Sequence, residues 1–235
     1  MSDRSIYNSI YNARLSGKRL LAVLVDPENF DLSTTAAFLR GLPAETTHLF
    51  IGGSSVKNNK TGDLVAEFKL YTAKPLVLFP GDVNQLTPNA DALLFLSLIS
   101  GNNPEYLIGQ QVKAVSVLRT MKLEVIPTGY ILIDGGKESA VARISGTSAI
   151  SQEDKQRIID LAKAAELSGK RLVYLEAGSG ALYPVRPEII SAVKNELNIP
   201  LIVGGGIRTK EQLSAAYHAG ADMIVMGTAF ETNKV

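Results

Sequence analysis

The chain has 235 residues, no cysteine and 46% hydrophobic residues, enough apolar material for one large domain or two small ones, and it excludes disulfide staples and thiolate metal centres. Its 24 Lys and Arg balance 23 Asp and Glu, a formal charge of +1, so no global field draws it to nucleic acid or to an anionic membrane. The longest apolar runs are strand-sized and the N-terminus carries Asp3, Arg4, Arg14, Lys18 and Arg19 where a leader would need an apolar core, so neither a bilayer span nor a signal peptide is read and a cytoplasmic location is expected.

Short apolar runs occupy residues 20–25, 47–51, 76–79, 92–96, 123–126, 172–175, 201–203 and 223–226, with amphipathic stretches between most of them. Eight such runs in this length predict a TIM (βα)8 barrel. With no Pro/Ser-rich linker, residues 1–235 read as a single domain. Helices are expected at 32–40, 60–72, 104–119, 152–168, 187–196 and 210–219, with Ser151 capping the fourth, Asp154 near its orphan amides and Gly169 ending it. Only residues 80–90, with two prolines and a glycine, separate the third and fourth runs, so the third helix is expected to be missing or reduced. Residues 128–150, rich in Gly and Ser with an apolar run at 130–133, read as an irregular piece after the fifth strand, either a functional loop or a plain excursion.

In this fold chemistry gathers where strands end. Asp26, followed by Pro27 and Glu28, is a candidate ligand for Mg2+, a cation that keeps several waters and takes other oxygens from substrate phosphate; the alternative is an Asx-turn before Asn29. Ser54, after Gly52 and Gly53, is a second metal or phosphate candidate. Ser97, Asn102, Asn103 and Thr128 are further post-strand polar residues. In the segment Tyr174, Leu175, Glu176, Ala177, Gly178, Ser179, Gly180, period two turns Tyr174 and Glu176 toward the barrel axis and Leu175 and Ala177 toward the helices. Glu176 then is a candidate proton acceptor, or else a buried acid with a structural partner; Tyr174 is a candidate site residue or core packing. Gly204, Gly205 and Gly206, then Gly227 and Thr228, follow the last two runs, where glycine amides and a following helix N-terminus suit phosphate, unless they merely turn the chain.

Other chemistries lack their groups. No lysine lies in the C-terminal half or at the exit of a run to form a Schiff base, and His48 and His218 fall at a strand start and within a helix. The glycine runs match neither a nucleophile elbow nor a dinucleotide fingerprint, and there is no DDxxD pair.

The segments LVDPE at 24–28, FIGGS at 50–54, SGNNP at 100–104, PTGY at 127–130, YLEAGSGA at 174–181, VGGGIR at 203–208 and GTAFE at 227–231 cover nearly the whole chain in order. On them the sequence resembles the geranylgeranylglyceryl phosphate synthase family, which includes bacterial heptaprenylglyceryl phosphate synthases. The resemblance implies a modified TIM barrel lacking its third helix. It implies transfer of a polyprenyl group, geranylgeranyl first and heptaprenyl as the alternative, from its diphosphate to sn-glycerol 1-phosphate with Mg2+, releasing diphosphate. Asp26 and Ser54 match the magnesium positions; Tyr174 to Gly180, Gly205, Gly206, Gly227 and Thr228 match the glycerol phosphate positions, with Glu176 engaging the attacking hydroxyl and Tyr174 beside it. Thr228 departs from the asparagine many members carry. A homodimer or higher homo-oligomer, at most peripheral membrane contact and no nucleic acid are also implied. Two readings of another class compete: an isomerase or lyase acting on a small phosphorylated substrate, and a non-catalytic lipid-phosphate binding module.

Overall fold

The computed structural model describes residues 5–54, 56 and 59–227. Strands β1 (Leu20–Val25), β2 (Thr46–Ile51), β3 (Leu76–Leu78), β4 (Ala92–Leu98), β5 (Glu124–Leu132), β6 (Leu172–Glu176), β7 (Leu201–Gly204) and β8 (Met223–Met226) close in chain order into an all-parallel barrel, β8 pairing back onto β1. Strand alternation sorts the side chains. Ala22, Phe50, Val77, Leu94, Ile126, Tyr130, Tyr174 and Ile202 fill the barrel interior, whereas Val23, Ile51, Leu78, Leu93, Val173 and Val203 face outward.

Around the barrel lie α2 (Thr35–Arg40), α3 (Lys60–Tyr71), α4 (Gln110–Leu118), α5 (Ala140–Ser145), α6 (Lys155–Leu167), α7 (Pro187–Glu196) and α8 (Lys210–His218), with α1 (Ile6–Leu15) preceding β1. In α6 the buried stripe is Ile158, Ala162 and Ala165, spaced four and three apart as helical geometry requires. Between β3 and β4 the only helical piece is a 3₁₀ turn, Val83–Gln85, so the third crossover is reduced as expected. Pro80, Gly81 and Pro88 leave too little uninterrupted chain for a helix.

The N-terminal helix α1 was not expected. Its Tyr7, Ile10 and Ala13 join the interior cluster and close the end of the barrel where strands begin. Its start is held from across the barrel by Glu124, which accepts the Ser5 hydroxyl at 2.6 Å and the amides of Ile6 at 2.6 Å and Tyr7 at 3.1 Å. A carboxylate there satisfies amides that lack helical acceptors.

Four further expectations are corrected. β5 runs to Leu132 instead of stopping at residue 126. Pro127 is tolerated because its carbonyl accepts Arg171 N at 2.7 Å while its missing N–H would face chain that precedes β6. Gly129 keeps α6 close, since a Cβ there would lie 2.7 Å from the Ala165 methyl. The true excursion is shorter: Asp134 N bonds Ile150 O at 2.8 Å and Ile150 N bonds Leu132 O at 2.9 Å, and α5 lies in the loop so pinched off. Ser151 does not cap α6; its hydroxyl accepts Glu153 N, and Asp154 occupies the cap position without a side-chain bond. Finally, the helix expected at 104–119 opens as a π turn, Glu105–Gly109, before α4.

Candidate functional site

A cavity of about 700 Å3 opens at the C-terminal ends of the strands. Its floor is aromatic: Phe79 stacks on Tyr174 at 5.3 Å between centroids, and Tyr130 meets Tyr174 edge-on at 5.4 Å. Tyr130 reaches this place because β5 continues through Pro127, so the alternation Ile126, Thr128, Tyr130, Leu132 stays inside. That period-two pattern was present in the sequence and hidden by the proline.

Glu176, the last residue of β6, is 6% exposed and lines the cavity. Its Oε1 accepts the Gly178 amide at 2.7 Å. Burial raises its carboxyl above the usual range, against the opposing pull of the Tyr174 phenol and the Gly178 amide. Tyr174 is fully buried, and its hydroxyl faces the same corner without a hydrogen bond of good geometry. Burial, then the charge of Glu176, pushes that phenol well above its ordinary value. Both groups crowd Gly204: a Cβ there would collide with the Tyr174 hydroxyl and lie 2.9 Å from Glu176 Oε2.

On one side of Glu176 stand the glycine loops. Gly205 has φ +83° and a Cβ on it would collide with Glu176 Oε1 and lie 2.6 Å from Gly178 N, so only glycine fits. Gly178, Ser179, Gly180, Gly205, Gly206 and Gly227 all line the cavity. Among the described residues, the amides of Gly180, Gly205 and Gly206 donate to no protein acceptor, as an anion cradle requires. At the start of α8 a capping box between Thr209 and Gln212 uses the amides of those two residues, and residues 209–211 do not line the cavity. Arg208 binds the two loops together, its guanidinium donating to Ala181 O at 2.6 Å.

On the other side stand Asp26 and Ser54. Asp26 closes an Asx-turn, Oδ1 accepting Glu28 N at 2.9 Å and Oδ2 accepting Asn29 Nδ2 at 3.0 Å. One bond per oxygen leaves lone pairs on each, and Asp26 forms no ion pair among the described residues. No cluster of three or more His, Cys, Asp or Glu exists among the described residues. The donor set fits a hard cation that draws most ligands from water and phosphate, the habit of Mg2+.

Between these poles the cavity continues over the outer face of β4, where the crossover helix is reduced. Val83, Leu86, Leu93, Phe95, Tyr106 and Ala114 line this apolar branch.

Of the expected site residues, Tyr174, Glu176, Gly178, Ser179, Gly180, Gly205, Gly206, Gly227, Asp26 and Ser54 share this cavity. Leu175 and Ala177 pack in the helix-facing core instead, and Thr228 lies outside the described residues. Ser97, Asn102, Asn103 and Thr128 do not line it. Ser97 is inside β4 and turns outward to accept Lys170 Nζ at 2.7 Å and Gln111 Nε2 at 3.0 Å. Thr128 is buried within β5 and donates to Ile126 O, while Asn103 ties Ser145 O to the start of the π turn. The exclusion of lysine needs one correction: Lys137, beyond the true end of β5, stands on the rim. It is exposed, which is not the desolvated setting that activates an amine. His48 is buried away from the cavity, lowered to about 4 first by burial and then by Lys18 and Lys74, and stays neutral.

The family model described as "PcrB family" matches residues 15–234. A geranylgeranylglyceryl phosphate synthase of Zunongwangia profunda is 52% identical over 229 residues, covering 97% of this chain and 98% of the relative. One from Flavobacterium johnsoniae is 47% identical over 232 residues, covering 97% and 95%. Among solved structures, (S)-3-O-geranylgeranylglyceryl phosphate synthase from Thermoplasma acidophilum, in complex with its substrate sn-glycerol-1-phosphate, superposes with a TM-score of 0.89 at 35% identity, covering 97% of this chain and 92% of that one.

Proposed function

Because the chain belongs to the PcrB family, we propose that it transfers a geranylgeranyl group from its diphosphate to the free primary hydroxyl of sn-glycerol 1-phosphate, forming an ether and releasing diphosphate. The observation that carries this reading is the position of Glu176, a buried carboxylate in one cavity with a glycine cradle whose amides are unused and with an apolar branch. The likeness to a solved synthase that holds sn-glycerol-1-phosphate supports it.

In this reading Gly180, Gly205 and Gly206 bind the phosphate and fix the glycerol so that its hydroxyl meets Glu176. Glu176 accepts the hydroxyl proton as oxygen bonds to the allylic carbon, and the carbon–oxygen bond to diphosphate breaks. The raised affinity of Glu176 for a proton suits it to that step near neutral pH. Phe79, Tyr130 and Tyr174 present aromatic faces that exclude water from an electron-poor allylic carbon. Asp26 and Ser54 would hold Mg2+, which when bound supplies charge neutralisation for the departing diphosphate. The apolar branch along Leu86, Leu93 and Phe95 accepts the prenyl tail.

The test is product analysis by mass spectrometry after incubation with sn-glycerol 1-phosphate, Mg2+ and an equal mixture of C15, C20 and C35 diphosphates. The C20 ether is the expected product. A dominant C35 ether assigns heptaprenyl transfer, and no ether with any of them overturns the reading.

A further inference from the structure

Resting on that reading, we propose that Gln85 is a positioning residue for the diphosphate end of the site: from the 3₁₀ turn that replaces the third crossover helix, it pins the Gly53 peptide against Asp26. Gln85 is 1% exposed and does not itself line the cavity. A buried side-chain amide must find partners for both its ends. Gln85 finds both on one residue of the neighbouring loop, Nε2 donating to Gly53 O at 2.8 Å and Oε1 accepting Gly53 N at 3.2 Å. This pairing fixes the orientation of the Gly53 backbone on both sides of its Cα.

The opposite face of Gly53 rests on the Asp26 carboxylate, because a Cβ there would lie 2.5 Å from Oδ1 and 2.8 Å from Cγ. Gly81 closes the same sandwich; its Cβ would lie 2.6 Å from Gly53 O and 2.8 Å from Ser54 O. The turn carrying Gln85 is itself braced. Asp82 caps it by accepting Asn84 N at 2.7 Å, and Gln110, at the start of α4, accepts Val83 N at 3.2 Å. A continuous set of contacts thus runs from α4 through the turn and Gln85 to the loop that bears Ser54 and abuts Asp26. Among the described residues the Gln85 side chain hydrogen-bonds to Gly53 alone, whereas the glycerol phosphate cradle stands on the loops after β6 and β7.

Gln85→Met keeps the side-chain length and removes both hydrogen bonds. Calorimetry on the full chain would measure Mg2+ with inorganic diphosphate and, separately, sn-glycerol 1-phosphate. The expected result is a diphosphate Kd raised about tenfold, or about 1.4 kcal/mol, with glycerol phosphate binding unchanged; in turnover, KM for the prenyl diphosphate rises more than kcat falls. Gln85→Asn, too short to span both Gly53 groups, should repeat the pattern and serves if the Met variant does not fold. Unchanged diphosphate binding, equal weakening of both ligands, or a wild type that binds no diphosphate overturns the proposal. A wild type that binds Mg2+ and diphosphate but makes no prenyl ether would fail the functional reading and leave the Gln85 comparison standing.

Discussion

The Gly178 amide donates to Glu176 Oε1 at 2.7 Å, which leaves Oε2 as the oxygen turned toward Gly204 and the Tyr174 hydroxyl. The hydrogen bond orients the carboxylate through one oxygen and leaves the other to take a proton. One backbone amide thereby couples the folding of the glycine segment to the presentation of the acid.

Glu176→Gln should retain that amide bond and lose the proton acceptor. Turnover is expected to fall about 100-fold or more, the usual worth of a positioned base, with sn-glycerol 1-phosphate binding retained. Because the folded carboxyl is raised above its ordinary 4.5, its contribution to stability is present at low pH and lost as pH rises through the raised value. The Gln variant should therefore be at least as stable as wild type at pH 8 and gain nothing at pH 4. A near-normal rate, or a variant that melts lower at pH 8, contradicts the assignment.

Gly205→Ala tests the cradle. The residue sits at φ +83°, and a methyl would collide with Glu176 Oε1 and crowd Gly178 N. Left-handed backbone costs a non-glycine residue roughly 1–2 kcal/mol before any clash is counted. The expected outcome is a KM for glycerol phosphate raised about tenfold or more with a smaller change in KM for the prenyl diphosphate. Equal effects on both substrates would mean that the loop does not bind the phosphate selectively.

Much of this arrangement is legible in the sequence. The alternation that puts Tyr174 and Glu176 inside and Leu175 and Ala177 outside is a property of β geometry, and the packing clusters divide the same four residues between interior or cavity and helix-facing core. The short third connection was readable from Pro80, Gly81 and Pro88. What escaped was whatever depends on a distant partner. Pro127 looked like a strand end because its tolerance is set by where β6 begins, and with β5 cut short Tyr130 was lost from the cavity floor. α1 was missed because its start is held by Glu124, more than a hundred residues away in sequence. Gln85 gave no signal at all, since a lone glutamine in a loop shows its role only through the Gly53 groups it meets.

Asp26→Asn separates the metal role from the turn. The amide oxygen can still accept Glu28 N, so the Asx-turn survives, while the second oxygen and its bond from Asn29 are lost along with the charge. Half-saturating Mg2+ in the turnover assay should rise about tenfold or more, and the variant should fold with a melting temperature close to wild type. Mg2+ dependence identical to wild type would remove Asp26 from the metal site and leave it as a turn residue.

Tyr174→Phe decides between core packing and participation. The ring contributes the stacked contact with Phe79 and the edge contact with Tyr130, and both survive the change. The hydroxyl is buried without a well-formed hydrogen bond, and an unsatisfied buried polar group costs about 1–3 kcal/mol. Removing it should leave stability unchanged or raise it, as chemical denaturation would measure. If the phenol tunes Glu176, the same variant loses turnover by about tenfold, and its pH–rate profile shifts to higher pH, because the hydroxyl favours the ionised carboxylate. A more stable enzyme with a wild-type pH profile would show that the ring alone matters, and Glu176 would then act without help from the phenol.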